Sequence, residues 1–473
     1  MATTRQRRKS NVAVLSRFNL GCLVGLCLAT LPAGAAEWGV SVGSGLTYSD
    51  NVDRVTDGDS VTVATTDFAA QIIGVGNRYD VDVEAAAVWR EYLDSEYEND
   101  ILPQFRGELN WAPIPEHFVW TVRDNFGQVA LTPAESLQPF DRQDINIFST
   151  GPAATLPLTQ RVNLRLAGLY SDIYYEDEDI DANRISGALT VEREIAHDRF
   201  VYVRGFSDRT EFKESQYGGY DIQGYYLGYD SVGIRTAIIA EVGVEELHDG
   251  GEVDDGLYVN VDIERELGER VTATARYLSR YADAADMFAL SQDLEPRLGG
   301  TTNLQVTSDP VQLDIAMLDL RWEGARTATG ITAVWSNENA DSLVQPDREI
   351  RGIAVRGSRR LSASTRLGAA AFFFQEERTG AVEQQQDDFT VSVDFTAELT
   401  RTLSLVAVLE HYNRNNSPAD YDENRVMVLL RYTPRAITRD LPSFYERRLN
   451  RRPATGDVAT PVPASANEPP DRP

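Results

Sequence analysis

The sequence predicts an all-β chain: a transmembrane antiparallel β-barrel of about 20 strands, with 18 to 22 open. Three observations predict it. Apolar and polar residues alternate with period two over stretches of ten or more residues. Short polar turns alternate with longer acidic connections. An export signal opens the chain, and no later apolar run is long enough for a membrane helix.

The first element is that signal, residues 1–35. Arg5, Arg7, Arg8, Lys9 and Arg17 precede an apolar stretch from Leu20 to Leu31, and Ala33-Gly34-Ala35 offers a small-residue cleavage site before Ala36. The twelve residues of the stretch fall short of the roughly 20 that a helical anchor needs. Both cysteines, Cys22 and Cys27, lie inside it, so the mature chain has neither disulfides nor thiolate metal sites. Asn19-Leu20-Gly21 is a poor lipoprotein approach to Cys22.

The second element, residues 36–432, reads as the barrel. Phe389, Val391, Val393, Phe395, Ala397 and Leu399 share one strand face, and Thr390, Ser392, Asp394, Thr396, Glu398 and Thr400 share the other. Val81, Val83, Ala85, Ala87 and Trp89 oppose Asp82, Glu84 and Arg90. Leu257 to Ile263 and Val271 to Tyr277 repeat the rule. Strands of a soluble sandwich usually run five or six residues, whereas a tilted barrel strand needs roughly 9 to 11 to cross hydrocarbon.

Nine short turns punctuate these strands, among them Asn77-Arg78-Tyr79, Leu158-Thr159-Gln160-Arg161, Ile234-Arg235-Thr236-Ala237 and Leu399-Thr400-Arg401-Thr402. Between them lie acidic, tyrosine-rich stretches read as long connections: 170–184, 246–256 and 283–310. Nine short turns between ten hairpins require twenty antiparallel strands, with both ends of the barrel segment on the short-turn side. An extra strand fragment within 295–312, or a different pairing of the Trp38 segment, leaves 18 or 22 open. Trp111, Trp120, Tyr170, Tyr277 and Tyr432 are expected near strand ends, at headgroup level.

The last strand places Val426, Val428, Leu430 and Tyr432 at alternate positions. It looks like the terminal signal by which outer-membrane proteins are recognised for insertion, which makes the barrel-assembly machinery an expected partner. The third element, residues 433–473, is arginine- and then proline-rich. It cannot pack a core and is expected to be a largely disordered periplasmic tail.

Charge excludes one class of function. The formal net charge is −28, which removal of residues 1–35 deepens to −33, and no basic stripe interrupts it, so nucleic acid is not an expected partner. Lysine occurs only at Lys9 and Lys213, which leaves lysine-centred catalysis without candidates. His117 and His197 fall in the short periplasmic turns, and His248 and His411 both at the outer strand ends, so no multi-histidine metal set is expected. With no nucleotide, HExxH or GxSxG motif, the reading assigns no catalytic, cofactor-binding or metal residue, no cofactor and no enzyme activity.

The acidic groups 176–181 and 249–255 lack calcium-loop spacing and read as solvated loops, with cation bridging to lipopolysaccharide as the alternative. Asp82, Glu84, Asp262, Glu264 and Asp394 are expected to face the lumen, where Arg90, Arg165, Arg204, Arg276 and Arg431 offer partners. Side chains alone do not fill a barrel of about 20 strands. Water in it gives a channel; loops folded inward, part of 283–310 among them, give a narrowed or plugged one.

Tyr48-Ser49-Asp50-Asn51-Val52 after the signal segment, and Tyr421-Asp422-Glu423-Asn424-Arg425-Val426 opening the last strand, give the chain a resemblance. It is similar to the outer-membrane β-barrel proteins associated with bacterial exopolysaccharide production and the PEP-CTERM sorting system. The resemblance implies outer-membrane localisation, contact with lipid and lipopolysaccharide, and a part in polysaccharide export or assembly, with export components as partners. The expected function is a porin-like passage for polar or anionic solutes. The alternative is a non-conducting structural or polysaccharide-binding barrel.

Overall fold

The computed structural model describes residues 36–435, except 57, 94, 96, 131–141, 177–179, 215–217, 291–308, 341–346, 380–383 and 416–419. The expected signal peptide and nearly all of the expected tail lie outside the described residues, as does most of the possible strand fragment at 295–312.

Twenty strands form one antiparallel sheet closed on itself. They are β1 (Ala36–Ser49), β2 (Val61–Val75), β3 (Tyr79–Leu93), β4 (Asp100–Ile114), β5 (Phe118–Ala130), β6 (Arg142–Thr159), β7 (Val162–Tyr175), β8 (Ala182–Ala196), β9 (Arg199–Phe212) and β10 (Tyr220–Val232). The second half comprises β11 (Thr236–Asp249), β12 (Glu252–Glu266), β13 (Val271–Ala282), β14 (Val311–Glu323), β15 (Thr327–Asn339), β16 (Asp347–Arg360), β17 (Thr365–Thr379), β18 (Gln384–Glu398), β19 (Leu403–Asn415) and β20 (Tyr421–Arg435). Each strand pairs with its neighbours in sequence, and β1 pairs with β20 from Val42↔Tyr432 to Ser49↔Arg425, which removes the sheet edges. β1 begins and β20 ends at the short-turn side, as the turn count requires.

Strands run from 12 residues in β13 to 18 in β6, longer than a bilayer crossing demands. Alternation decides which side chains face out. Leu46, Leu227, Leu318, Ile353, Leu409 and Leu430 are exposed on the outer surface, and the residues next to each point into the lumen. The expected apolar faces of β12, β13 and β18 lie on this outer surface by register, as do Ala87 and Trp89 of β3, whereas Val81 and Val83 at the other end of β3 are buried against Phe105, Leu109 and Phe126. The fold is a barrel of the outer-membrane type.

Three local expectations are corrected. Residues 246–256 are a two-residue hairpin joining long strands, because Gly250 and Gly251 both take positive φ, at 56° and 98°, as a tight hairpin turn requires. Tyr170 and Tyr277 lie inside β7 and β13, where the Asn183 and Asp314 side chains accept their hydroxyl hydrogen bonds at 2.8 and 3.0 Å; a polar neighbour takes the place of headgroup water. β20 runs on to Arg435, since Thr433 N–H still reaches the Thr402 carbonyl at 2.7 Å.

One stretch of wall is interrupted. β13 pairs with β14 up to Ala282↔Val311, but with β12 only from Glu266↔Thr272 to Val259↔Ser279. Above Ser279 the β13–β14 hairpin turns inward, and the Ser279 hydroxyl and Gln312 amide bridge to the Leu257 carbonyl, each at 3.3 Å. Tyr281 shows the change of direction. Alternation with Tyr277 sends it to the outer face, yet it packs with lumen-facing Phe206, Tyr220, Ile222, Tyr226, Leu247 and Tyr258.

Candidate functional site in the barrel lumen

The turned hairpin carries residues 283–290 across the lumen. Ile185 is 63% exposed on the outer face of β8, so Arg184 beside it points inward, and register places Ile145, Ile173 and Ala182 on the same inner wall. A short helix over 284–290 packs Ala284, Ala285, Met287 and Phe288 against Ile145, Ile173, Tyr175, Ile180 and Ala182. Burying these side chains ties β13 to β6–β8, six strands away by number.

Asp283 starts the helix and anchors it. Its Oδ1 accepts the Asp286 N–H at 3.0 Å, the bond of an N-cap, and its carbonyl accepts the Met287 N–H at 3.0 Å. Its Oδ2 pairs with Arg184 and accepts the Tyr220 hydroxyl at 2.6 Å. Asp286 pairs with the same guanidinium at 3.0 Å and with Arg280 at 3.5 Å. Burial pushes the Asp283 carboxyl up, but Arg184, the Tyr220 hydroxyl and the Asp286 N–H outweigh it and hold the group below the usual carboxylate range. The helix is thus fixed by charge-assisted bonds inside an apolar seat, where loss of one partner leaves an uncompensated charge.

Beneath the seat, Glu241 of β11 organises a second network. It accepts hydrogen bonds from Tyr202 at 2.6 Å, Tyr258 at 2.9 Å and Asn260 at 3.0 Å, with Arg204 at 3.7 Å. Tyr226 stacks on Tyr258 with centroids 4.1 Å apart.

The wall from β16 to β20 is lined by arginine–carboxylate pairs. Arg348 is bidentate to Glu376 at 2.9 and 3.0 Å, Arg414 is bidentate to Asp388 at 2.6 and 2.9 Å, and Arg425 pairs with Glu410. Arg54, from the β1–β2 connection, bonds Glu423 at 2.8 Å and lies over the Tyr412 ring at 4.7 Å.

Barrels of similar form exist among solved structures. The ferric enterobactin receptor of Pseudomonas aeruginosa superposes with a TM-score of 0.44 and 9% identity, over 85% of this chain and 81% of its own. The siderophore receptor PirA of the same organism gives 0.41 and 11%, over 84% and 80%. The FrpB iron transporter of Neisseria meningitidis gives 0.43 and 7%, over 84% and 82%. No protein-family model and no curated protein matches the chain.

Of the expected lumen charges, Arg276 pairs with Asp262 at 3.0 Å, Arg165 with Glu192 at 3.2 Å, Arg204 with Glu241, and Arg431 with Asp67 at 3.6 Å. Asp82, Glu84, Asp394 and Arg90 share the inner face; the Gln71 amide donates to Glu84 at 2.7 Å. The four histidines are not brought together, and among the described residues no group of three His, Cys, Asp or Glu is placed to hold a metal. Of the acidic segment 176–181, residues 177–179 lie outside the described residues.

The Asp283–Arg184 anchor was not singled out by the sequence reading, although a signal exists. Asp283-Ala284-Ala285-Asp286-Met287-Phe288 has a capping residue followed by an apolar helical face, unusual inside a connection between strands.

Proposed function

We propose that the chain forms a passage across the bacterial outer membrane for polar solutes, narrowed by its own residues 283–290. The observation that carries this reading is the capped helix seated between β6–β8 and β13, held by Arg184 through Asp283 and Asp286. Lumen arginines are largely matched by carboxylates, as in Arg348–Glu376 and Arg414–Asp388, which favours neutral polar solutes over anions. The resemblance carried by residues 48–52 and 421–426 makes surface polysaccharide, or its building units, the proposed cargo.

The test is single-channel recording on the refolded chain in planar bilayers. Stepwise currents of small unit size are expected from the native chain, and larger ones when Arg184→Gln frees the helix. Silence from both proteins sinks the passage and leaves a non-conducting barrel that binds polysaccharide.

A further inference from the structure

The lipid-facing surface is charged with opposite sign at its two ends. At the long-loop end, Asp172, Asp221, Glu246, Asp255, Glu349 and Asp387 face outward by register. The outward cations there are paired: Arg209 with Glu211 at 2.8 Å, Arg351 with Glu349 at 2.8 Å and Lys213 with Asp172 at 2.6 Å.

The short-turn end differs. Arg193, Arg265 and Arg359 continue the outer face of β8, β12 and β16 and are exposed, as are Arg161, Arg270 and Arg326 in the turns. None of the six has a carboxylate partner among the described residues, whereas lumen arginines such as Arg348 and Arg414 are bidentate. The nearby strand-end carboxylates Glu266, Glu323 and Glu398 fall on the lumen side by alternation, away from the outward Arg193, Arg265 and Arg359. The carbonyls of the three turn arginines accept neighbouring backbone N–H groups, each at 2.8 Å, which fixes the main chain from which the side chains leave.

Apolar side chains set the height of this ring. Leu158, Leu267, Leu361 and Leu399 are about half exposed at the short-turn end. Trp111, Trp120, Trp322 and Tyr432 are exposed on the outer face within a few residues of them. Aliphatic side chains entering hydrocarbon, rings at its boundary and guanidiniums just beyond describe the headgroup layer of one leaflet.

We propose that this arginine ring binds the phosphates of phospholipid headgroups in the periplasmic leaflet, with the leucines seated among the acyl chains. Arginine suits the task because its planar fork donates two hydrogen bonds to one phosphate, and among the described residues no carboxylate pairs with these six. The opposite sign of the other rim makes the barrel's orientation readable by the lipid.

The full-length protein is reconstituted in phosphatidylcholine vesicles containing spin-labelled phosphatidylglycerol or spin-labelled phosphatidylcholine, and boundary-lipid selectivity is read from the immobilised fraction. Each arginine near an anionic surface contributes on the order of fivefold in binding. The native protein is expected to select phosphatidylglycerol several-fold, less so in high salt, and R193Q/R265Q/R359Q to lose most of that selectivity. R209Q/R351Q, at the other rim, is expected to keep it. Native-like mobility of each variant on unheated detergent gels confirms the barrel. Equal binding of the two lipids by the native protein overturns the proposal, as does undiminished selectivity in the triple variant. Capture of an acidic periplasmic protein by the ring, without lipid selectivity, also overturns it and reassigns the ring to that protein.

Discussion

Asp50 and Asn424 stand 374 residues apart and fasten the outer end of the seam between β1 and β20. The Asn424 N–H donates to one Asp50 carboxylate oxygen at 2.7 Å and its side-chain amide to the other at 2.8 Å. The Asp50 N–H returns a bond to the Asn424 carbonyl at 3.2 Å. Ser49 bonds Glu423 at 2.7 Å, and the Asn51 amide bonds the Asp422 carbonyl at 2.9 Å. The two short motifs on which the family resemblance rests are thus one structure: the clasp that closes the barrel.

Asp50→Ala is expected to lower stability by about 1.5–3 kcal/mol, the range for hydrogen bonds to a charged group. The check is urea unfolding of the refolded barrel in detergent. A lower midpoint with an unchanged slope supports the clasp, and an unmoved midpoint refutes it.

The same seam needs a residue without a side chain. A Cβ on Gly45 would stand 2.0 Å from the Val428 carbonyl oxygen of β20, whereas one on Gly187 meets nothing within 4 Å. Gly45→Ala should therefore hinder closure and reduce the yield of folded barrel on unheated gels, while Gly187→Ala should match the native protein. Equal yields would show that the seam relaxes around the added methyl.

Removing Arg184 strips the capped helix of its cation. Arg184→Gln leaves Asp283 facing Tyr220 without its guanidinium, at a cost of about 3–5 kcal/mol to the seated arrangement. Faster proteolysis within 283–290 is expected, with the strands of the barrel resistant. A cleavage pattern identical to the native one would show that apolar packing of Met287 and Phe288 holds the segment unaided.

Depression of the Asp283 carboxyl fixes the sign of any acid effect at this anchor. A carboxylate held below its ordinary value stabilises the folded form above that value and loses the contribution as pH falls through its lowered one. The Asp283 contribution should therefore be constant from neutral pH down to about 4 and fade below it. Comparing the pH dependence of protease resistance in the native chain and Asp283→Asn isolates it: the two curves should stay apart down to about pH 4 and converge below it, and convergence already near pH 6 would contradict the assignment.

Gly250→Val should strain the β11–β12 hairpin by about 1–2 kcal/mol, because φ there is 56° and a β-branched residue resists that region. Gly250→Asn should be tolerated. Urea midpoints of the two variants rank them, and the reverse order would rule out the turn geometry.

Alternation and turns made the wall legible. The outward set on β18, the nine short turns and the even strand number follow from local pattern, because a side-chain period of two survives in a single sequence wherever one face meets lipid. What stayed hidden is long-range. Nothing local in Ser49-Asp50-Asn51 reveals that it meets Asp422-Glu423-Asn424, since that pairing exists only after closure. Tyr281 continues the outward alternation of β13, and only the early end of β12–β13 pairing at Val259↔Ser279 shows that it enters the lumen. Residues 246–256 were misjudged for a different reason: carboxylates are disfavoured in strands by composition, yet two glycines suffice for the turn and water solvates the extended strands beyond the bilayer.

The helix in the lumen is joined to β13 at one end and, through residues 291–310, to β14 at the other. A blocking segment that is covalently part of the wall stays close to its seat, so in the proposed passage its local concentration is high whenever it is dislodged. Closures should then follow openings quickly, with dwell times independent of protein density and of added peptide. Conduction should arrive as brief flickers rather than as lasting open states.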